Sequence, residues 1–234
     1  ATQNNLECIS NWTNENLMRM NETKCNYMIF SRSETDFATR LTLNNTKLDQ
    51  ISVTKLLGVW ISDDMSWSRN CKEICIKAYS RLQMLTKLKY VGVGMDDLLD
   101  VYKLFIRSCI EYCSVAFHSS LTIELSDKLE RIQKTCLRVI LGEMYIGYSA
   151  ALEMSGLDTL FSRREKRCID FSLKCLKNKR LAKAFPLKPA HGQDTRESEM
   201  FTVNFARTST YRDSAIPYCQ RLLNEYYKSK NANT

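Results

Sequence analysis

The chain has 234 residues, of which 44% are hydrophobic and 26% charged, so it can bury a core as one large or two small domains. The net charge is +8, and the excess lies in residues 67–234, where 28 basic residues stand against 18 acidic ones. This charge favours a polyanionic partner, although a solvated helix face has the same composition. Apolar runs are too short to predict a transmembrane helix.

The ten cysteines do not predict a disulfide scaffold, because we expect no signal peptide and the chain is long enough to fold without crosslinks. Two pairs have the spacing of a single helical face, where cysteine packs as a small apolar residue: Cys71/Cys75 and Cys109/Cys113. The sequence has no C-x-x-C pair and only two histidines, so it predicts no metal site. We expect an intracellular protein, either nuclear or cytoplasmic.

The first 61 residues predict one helix and a small antiparallel sheet. Apolar residues at helical spacing predict an amphipathic helix over residues 6–21. Cys25–Ser31 is a short apolar run bounded by polar residues and predicts a strand. Asn44–Asn45–Thr46 predicts a hairpin turn between the strands Leu41–Leu43 and Leu48–Val53, because Asn tolerates positive φ. Lys55–Ile61 predicts a buried strand that contains one glycine.

Residues 67–185 predict a bundle of helices, because their apolar residues recur at helical spacing. The predicted helical segments are Ile74–Leu85, Leu98–Cys113, a helix from near Thr122 to Ile140, Ser149–Met154 and Leu160–Lys177. The second should turn its apolar residues inward, Phe105 and Cys113 among them. Asp96–Asp97 can cap the second of these helices and complement its dipole, and Gly142 ends the third. Beyond them, Gln193–Glu199 belongs to a polar connector, and Ile216–Tyr227 predicts a closing helix.

The predicted fold class is therefore α+β and mainly α. A small antiparallel sheet occupies residues 1–66, a helical bundle occupies residues 67–185, and a connector and helix occupy residues 186–234.

Several motifs resemble a known family. Asn16–Lys24, Met28–Ser31 and Lys55–Trp67 resemble the last part of the palm of a reverse transcriptase of non-LTR (LINE-type, jockey-like) retrotransposons. Further segments resemble the thumb and the closing segment of these elements: Lys77–Leu82, Phe105–Tyr112, Phe117–Thr122, Leu129–Lys134, Phe201–Thr208 and Ser214–Asn224. One departure is Phe117, where these elements often have tryptophan.

The resemblance implies a parent RNA-directed DNA polymerase that uses Mg²⁺ held by aspartates of two palm motifs. By the same resemblance those aspartates should precede Ala1, so this chain alone should hold no cofactor and should not polymerise. Asp63–Asp64 and Asp96–Asp97 are better explained as a turn and a helix start, because neither follows the aromatic strand residue of the active-site hairpin. His118 has no catalytic role in this interpretation.

Two palm-like positions have a functional and an ordinary interpretation. Asn21-x-x-Lys24 resembles the motif whose lysine lies near the leaving pyrophosphate, although Lys24 also fits an ordinary surface position. Lys55 and Gly58 resemble the primer-grip hairpin, where glycine permits close approach of the primer end. A plain core strand with Trp60 packed on a helix fits the same residues.

Two basic clusters are the candidate nucleic-acid contacts: Lys128, Arg131, Lys134 and Arg138 in one predicted helix, and Arg163, Arg164, Lys166 and Arg167 in another. The first set is spaced i, i+3, i+6 and i+10, which forms a stripe opposite the apolar face. The implied partners are an RNA or RNA–DNA template–primer and the rest of the palm and fingers. The alternatives are a solubilising face, and a non-catalytic RNA- or protein-binding module or decayed relic of such an element.

Overall fold

The structure, a computed structural model, describes residues 2–31, 41–188 and 200–232. It divides into two compact units, Ala1–Arg69 and Asn70–Thr234. The fold is α+β and mainly helical, as the sequence predicts. The Gln193–Glu199 part of the predicted connector lies outside the described residues.

The first unit begins with helix α1, Thr2–Glu15, which is shorter than predicted. The prediction of a helix to residue 21 is wrong, because Leu17 adopts φ +55° and breaks the helical geometry. On the apolar face of α1, Leu6 packs on a cluster of buried leucines, whereas Trp12 is 56% exposed. The buried members of that cluster among the described residues are Leu41, Leu43 and Leu48.

The strands of the first unit are short: β1 (Asn26–Tyr27), β2 (Thr42–Leu43), β3 (Thr46–Lys47), β4 (Asp49–Gln50), β5 (Val53–Leu56) and β6 (Val59–Ser62). They pair two by two, β1 with β4 in parallel and β2 with β3 and β5 with β6 antiparallel. Asn44 and Asn45 join β2 to β3 with φ of +46° and +60°, which confirms the predicted hairpin turn.

The predicted strand over Lys55–Ile61 is instead a second hairpin. Leu57 and Gly58 form its turn with φ of +47° and +88°, and Leu56 pairs with Val59 on either side of it. A type I′ hairpin turn needs positive φ at both central positions, which Gly58 adopts without strain. The apolar character of Leu56 and Leu57 hid the turn, because both side chains are exposed instead of buried.

The remaining helices are α2 (Ser68–Tyr90), α3 (Met95–Val101), α4 (Ser108–Glu111), α5 (Ser114–Phe117), α6 (Ile123–Leu141), α7 (Tyr148–Ser155), α8 (Leu160–Leu176), α9 (Ser209–Arg212) and α10 (Ala215–Ala232). The Thr122 side chain caps α6 by accepting a hydrogen bond from Leu125 N at 3.3 Å, and Thr159 caps α8 in the same way. Gly142 ends α6 where predicted. The α2 residues with helical apolar spacing are buried as predicted: Ile74, Ala78, Leu82 and Leu85.

A π-helical turn, Tyr102–Arg107, separates α3 from α4 and shifts the buried face. Tyr102, Ile106 and Ile110 are buried, but Phe105 and Cys113 are exposed, which corrects their predicted inward positions. The extra residue of a π turn moves the following side chains around the helix. At the start of α3, Asp96 and Asp97 lie in the first turn, but Gly94 is the N-cap and no side chain caps it.

Residues near the C-terminus belong to the core of the second unit. Phe201, Cys219 and Leu223 are buried in one cluster with Cys168 and Phe185. The side chain of Asn224 on α10 accepts from Phe201 N at 2.8 Å and donates to Phe201 O at 3.0 Å. Phe201 also forms an isolated antiparallel bridge with Leu187. The hydrogen bonds from Asn224 satisfy the backbone N–H and C=O of Phe201 and tie the segment to α10.

All ten cysteines lie in the described residues, and none forms a disulfide. No helix within residues 2–31, 41–188 and 200–232 is long and apolar enough to cross a membrane.

Candidate nucleic-acid interface

The predicted stripe of α6 lies on the face away from the core. Leu129, Ile132 and Cys136 are buried on one side of the helix, as are Leu137 and Ile140. The basic residues Lys128, Arg131 and Arg138 are exposed, and Lys134 is half-buried. Because the apolar and basic residues lie on opposite faces, burial of the apolar face leaves the basic side chains facing solvent.

The four stripe residues differ in their partners. Lys128 Nζ lies 2.7 Å from Glu124 Oε1 in an i, i+4 ion pair. Lys134 and Arg138 lie over the rings of Tyr148 and Tyr145, at 4.9 Å and 5.2 Å from the ring centroids. Within the described part of the chain, no carboxylate lies within ion-pair distance of Arg131, Lys134 or Arg138.

The ring contacts hold the Lys134 and Arg138 head groups without neutralising them. A cation over an aromatic face keeps its full charge and its remaining N–H donors. Three positive charges of α6 are therefore available to an anion.

The α8 cluster is mostly engaged inside the protein. Arg163 donates from Nε to Glu111 Oε1 at 2.5 Å and from Nη2 to Glu111 Oε2 at 3.2 Å. Arg167 Nη2 lies 2.9 Å from the same carboxylate, which is 2% exposed. The hydrogen bond to Glu111 raises the pKa of Arg163. Lys166 is exposed, and no ion pair of its ammonium is seen among the described residues.

Arg164 is corrected from a nucleic-acid contact to an internal residue. It is fully buried, donating from Nε to His118 Nδ1 at 3.4 Å and from Nη2 to Ser126 Oγ at 2.8 Å. A side chain without exposure cannot reach a phosphate. The sequence held the signal, since Leu160, Arg164 and Cys168 are four residues apart on the face that is buried.

His118 is held neutral by these neighbours. Burial, then the Arg164 charge, lowers the pKa of His118 to about 4. Because Nδ1 accepts from Arg164, Nε2 carries the proton and points toward Tyr218 Oη at 3.4 Å. Tyr218 in turn donates to Glu165 at 3.3 Å. The chain of contacts from Arg164 to Glu165 is a structural link between α8 and α10.

A polar network in the core was not predicted from sequence. Tyr102 donates to Gln133 Oε1, and Gln133 Nε2 donates to Tyr148 Oη at 2.8 Å and to Asp158 O at 2.9 Å. Tyr148 donates to Glu130, which also accepts from Leu160 N at 3.0 Å. Burial raises the pKa of both tyrosines, so they keep their donor protons. The network fixes α7 and the start of α8 against α6.

A cavity of about 330 Å³ opens beside this network. Its lining residues are His118, Leu121, Ile123, Ser126, Asp127, Glu130, Thr159 and Phe161. Glu130 Oε2 is buried there without a hydrogen-bond partner among the described residues. With two carboxylates and a neutral histidine in its wall, the cavity is unsuited to hold a phosphate and is separate from the basic interface.

The palm-like candidates lie in the first unit. Lys24 is exposed at the end of a 3-10 turn, Glu22–Lys24, which Asn21 caps by accepting from Thr23 N at 3.1 Å. Lys55 Nζ lies 6.0 Å from the Trp60 ring centroid. Gly58 is exposed at the tip of the β5–β6 hairpin.

Neither aspartate pair has the surroundings of a metal site. Asp64 Oδ1 accepts from Ser66 N at 2.8 Å, which confirms the predicted turn at Asp63–Asp64. In the ranges that the structure describes, no group of three His, Cys, Asp or Glu side chains is arranged to hold a metal ion.

A comparison of the chain with protein-family models, with curated proteins and with solved structures found no match.

Proposed function

We propose that this chain is part of an RNA-directed DNA polymerase of the kind encoded by non-LTR retrotransposons and that it contributes to template–primer binding. Within the structure, the exposed basic face of α6 is the observation that supports the proposal. Arg131 and Arg138 are seven residues apart, which is about 10 Å along a helix. That length is about three nucleotide steps of about 3.4 Å along one strand.

The proposal assigns the two clusters different weights. Arg131, Lys134 and Arg138 contact phosphates directly, and Lys166 adds to the positive field, whereas Lys128 is paired with Glu124. Such contacts fix affinity and register without reading sequence, as a thumb must do on any template. Lys24, Lys55 and Gly58 stay predictions that follow from the family resemblance.

The first experiment measures anisotropy of a labelled RNA–DNA duplex over a salt titration. Replacing Arg131, Lys134 and Arg138 together by glutamine should reduce the slope of log K against log salt by about 2 to 3, because each lost phosphate contact removes about 0.9. The matched control replaces Lys72, Lys77 and Lys87, which are exposed on α2, and removes the same total charge.

The control separates a docking face from a diffuse field. If both triple variants reduce the slope equally, net charge alone binds the duplex and the α6 interface is refuted. A preference for duplex over single strand supports a thumb. In the same preparation we expect no Mg²⁺-dependent primer extension, because the sequence contains no counterpart of the two aspartate-bearing palm motifs.

A second candidate is a non-catalytic module that binds a protein partner. Leu104 and Phe105 of the π turn are exposed apolar side chains, a surface that favours protein contacts over phosphate contacts. Absence of duplex and single-strand binding at 50 mM salt would favour this candidate, and mutation of Leu104 to serine would then test its surface.

A further inference from the structure

The buried carboxylate of Glu111 is surrounded by an excess of guanidinium groups. Arg163 occupies both of its oxygens and Arg167 adds a third contact at 2.9 Å. Two positive charges thus share one negative charge. Asp158 acts on Arg163 at longer range, but the two do not form an ion pair.

Arg107 is a third guanidinium, and its charge interacts with Glu111, Arg163 and Arg167. It ends the π turn and lies four residues before Glu111, a spacing that puts both side chains on one helix face. In residues 2–31, 41–188 and 200–232 its guanidinium makes no hydrogen bond or ion pair. Burial and the nearby Arg163 charge lower the pKa of Arg107, which the Glu111 carboxylate opposes.

Such a group of arginines is poised for an anion. A partly buried guanidinium that makes no hydrogen bond loses hydration, and the longer-range attraction of Glu111 does not replace the lost hydrogen bonds. Its planar fork of donors matches phosphate oxygens, and several forks can contact one tetrahedral anion. The π turn adds a second indication, because such turns occur frequently at functional sites.

We propose that Arg107, Arg163 and Arg167 form a phosphate-binding site, with Glu111 as the residue that positions two of the three arginines. The ligand is a phosphate group, either free phosphate and its monoesters or a phosphodiester of a nucleic acid strand. The site does not depend on the proposed function. It needs no duplex, and its residues lie on the π turn and on α8 instead of α6.

Binding of inorganic phosphate to the full chain tests the site directly. Calorimetric titration with sodium phosphate is compared with sodium sulfate and with sodium chloride at equal ionic strength. We expect saturable phosphate binding that chloride does not reproduce. Arg107→Gln should weaken phosphate affinity about tenfold, the effect of one lost charge-assisted contact of about 1.4 kcal/mol.

The matched control is Lys103→Gln, one helical turn before Arg107, because Lys103 already pairs with Asp100 at 3.1 Å. It removes the same charge from the same helix and should leave phosphate affinity unchanged. Arg107→Lys, which keeps the charge but not the fork, replaces Arg107→Gln should that variant lose its helical circular dichroism, and is expected to weaken binding as well.

A second arm distinguishes the two sources of phosphate. If the site takes a phosphodiester, Arg107→Gln also lowers the salt slope of duplex binding by about one. If it takes free phosphate, the slope is unchanged while phosphate affinity falls. The proposal is overturned if the wild-type chain binds phosphate no better than chloride, or if Lys103→Gln and Arg107→Gln have the same effect. Neither result bears on the α6 face.

Discussion

Replacing Gln133 by leucine should destabilise the second unit strongly although the two side chains are similar in size. Gln133 is fully buried and joins three partners: it accepts from Tyr102 and donates to Tyr148 and to the carbonyl of Asp158. Leucine leaves the Tyr102 hydroxyl, which is also fully buried, without an acceptor.

The magnitude follows from these groups. One stranded buried hydroxyl costs about 1–3 kcal/mol, and each of the two other lost hydrogen bonds costs about 0.5–1.5 kcal/mol. Leucine offsets part of this loss of stability, because its apolar side chain is favourable in a buried position. We therefore expect Gln133→Leu to lower the free energy of unfolding by about 3 kcal/mol.

The assay is urea unfolding followed by circular dichroism, carried out as a double-mutant cycle with Tyr102→Phe. Tyr102→Phe alone leaves Gln133 Oε1 without a donor and should lower the free energy of unfolding by about 1–3 kcal/mol. Together the two changes remove both partners, so the double variant should be more stable than the sum of the single costs by about 1–2 kcal/mol. Gln83→Leu on the exposed face of α2 is the control and should change stability by less than about 0.5 kcal/mol.

Strictly additive costs in this cycle would refute the reasoning, because they would mean that Tyr102 and Gln133 do not satisfy each other. So would a Gln133→Leu variant as stable as the wild-type chain.

Three further predictions concern pH, a turn and a cap. Since the folded-state pKa of His118 is lowered to about 4 from 6.5, the unfolded state binds its proton first, and stability should fall as pH drops through that window. At 1.36 kcal/mol per pKa unit, at most about 3 kcal/mol of stability is lost in this way. Urea unfolding between pH 7 and 4 should show that His118→Gln abolishes the contribution of this histidine to the loss. Gly58→Ala should lower stability by about 1 kcal/mol in thermal unfolding, because residue 58 has φ +88°; an unchanged Tm would contradict the turn geometry. Thr159→Ala should lower the free energy of unfolding by about 1 kcal/mol, because the Thr159 hydroxyl no longer accepts a hydrogen bond from Ser162 N; Thr210→Ala, at an exposed position, is the control.

Features set by neighbouring residues were predictable. The Asn44–Asn45 turn, the Thr122 start of α6 and its end at Gly142 were all predicted, because each depends on the φ preference or hydrogen-bonding reach of one or two residues. The buried face of α2 followed from apolar spacing alone.

Features that depend on helix geometry over several turns were predicted less well. Spacing indicated that Phe105 and Cys113 face inward, but the π turn at Tyr102–Arg107 changes the register. Nothing in the local sequence marks that extra residue. The residue pattern of Lys55–Ile61 indicated one strand instead of the hairpin at Leu57–Gly58 for a related reason, because an apolar pair can end a strand as well as continue one.

The sequence alone determined where positive charge accumulates, in α6 and α8, since charge belongs to the residue type. Only the tertiary structure decided what each charge contacts. Arg163 meets Glu111 across 52 residues of chain, and Arg164 meets His118 across 46, whereas Arg131 on α6 has no carboxylate within ion-pair distance in the described ranges. The physical reason is that an ion pair acts over a few ångströms of space, and folding brings together residues whose separation along the chain gives no sign of it.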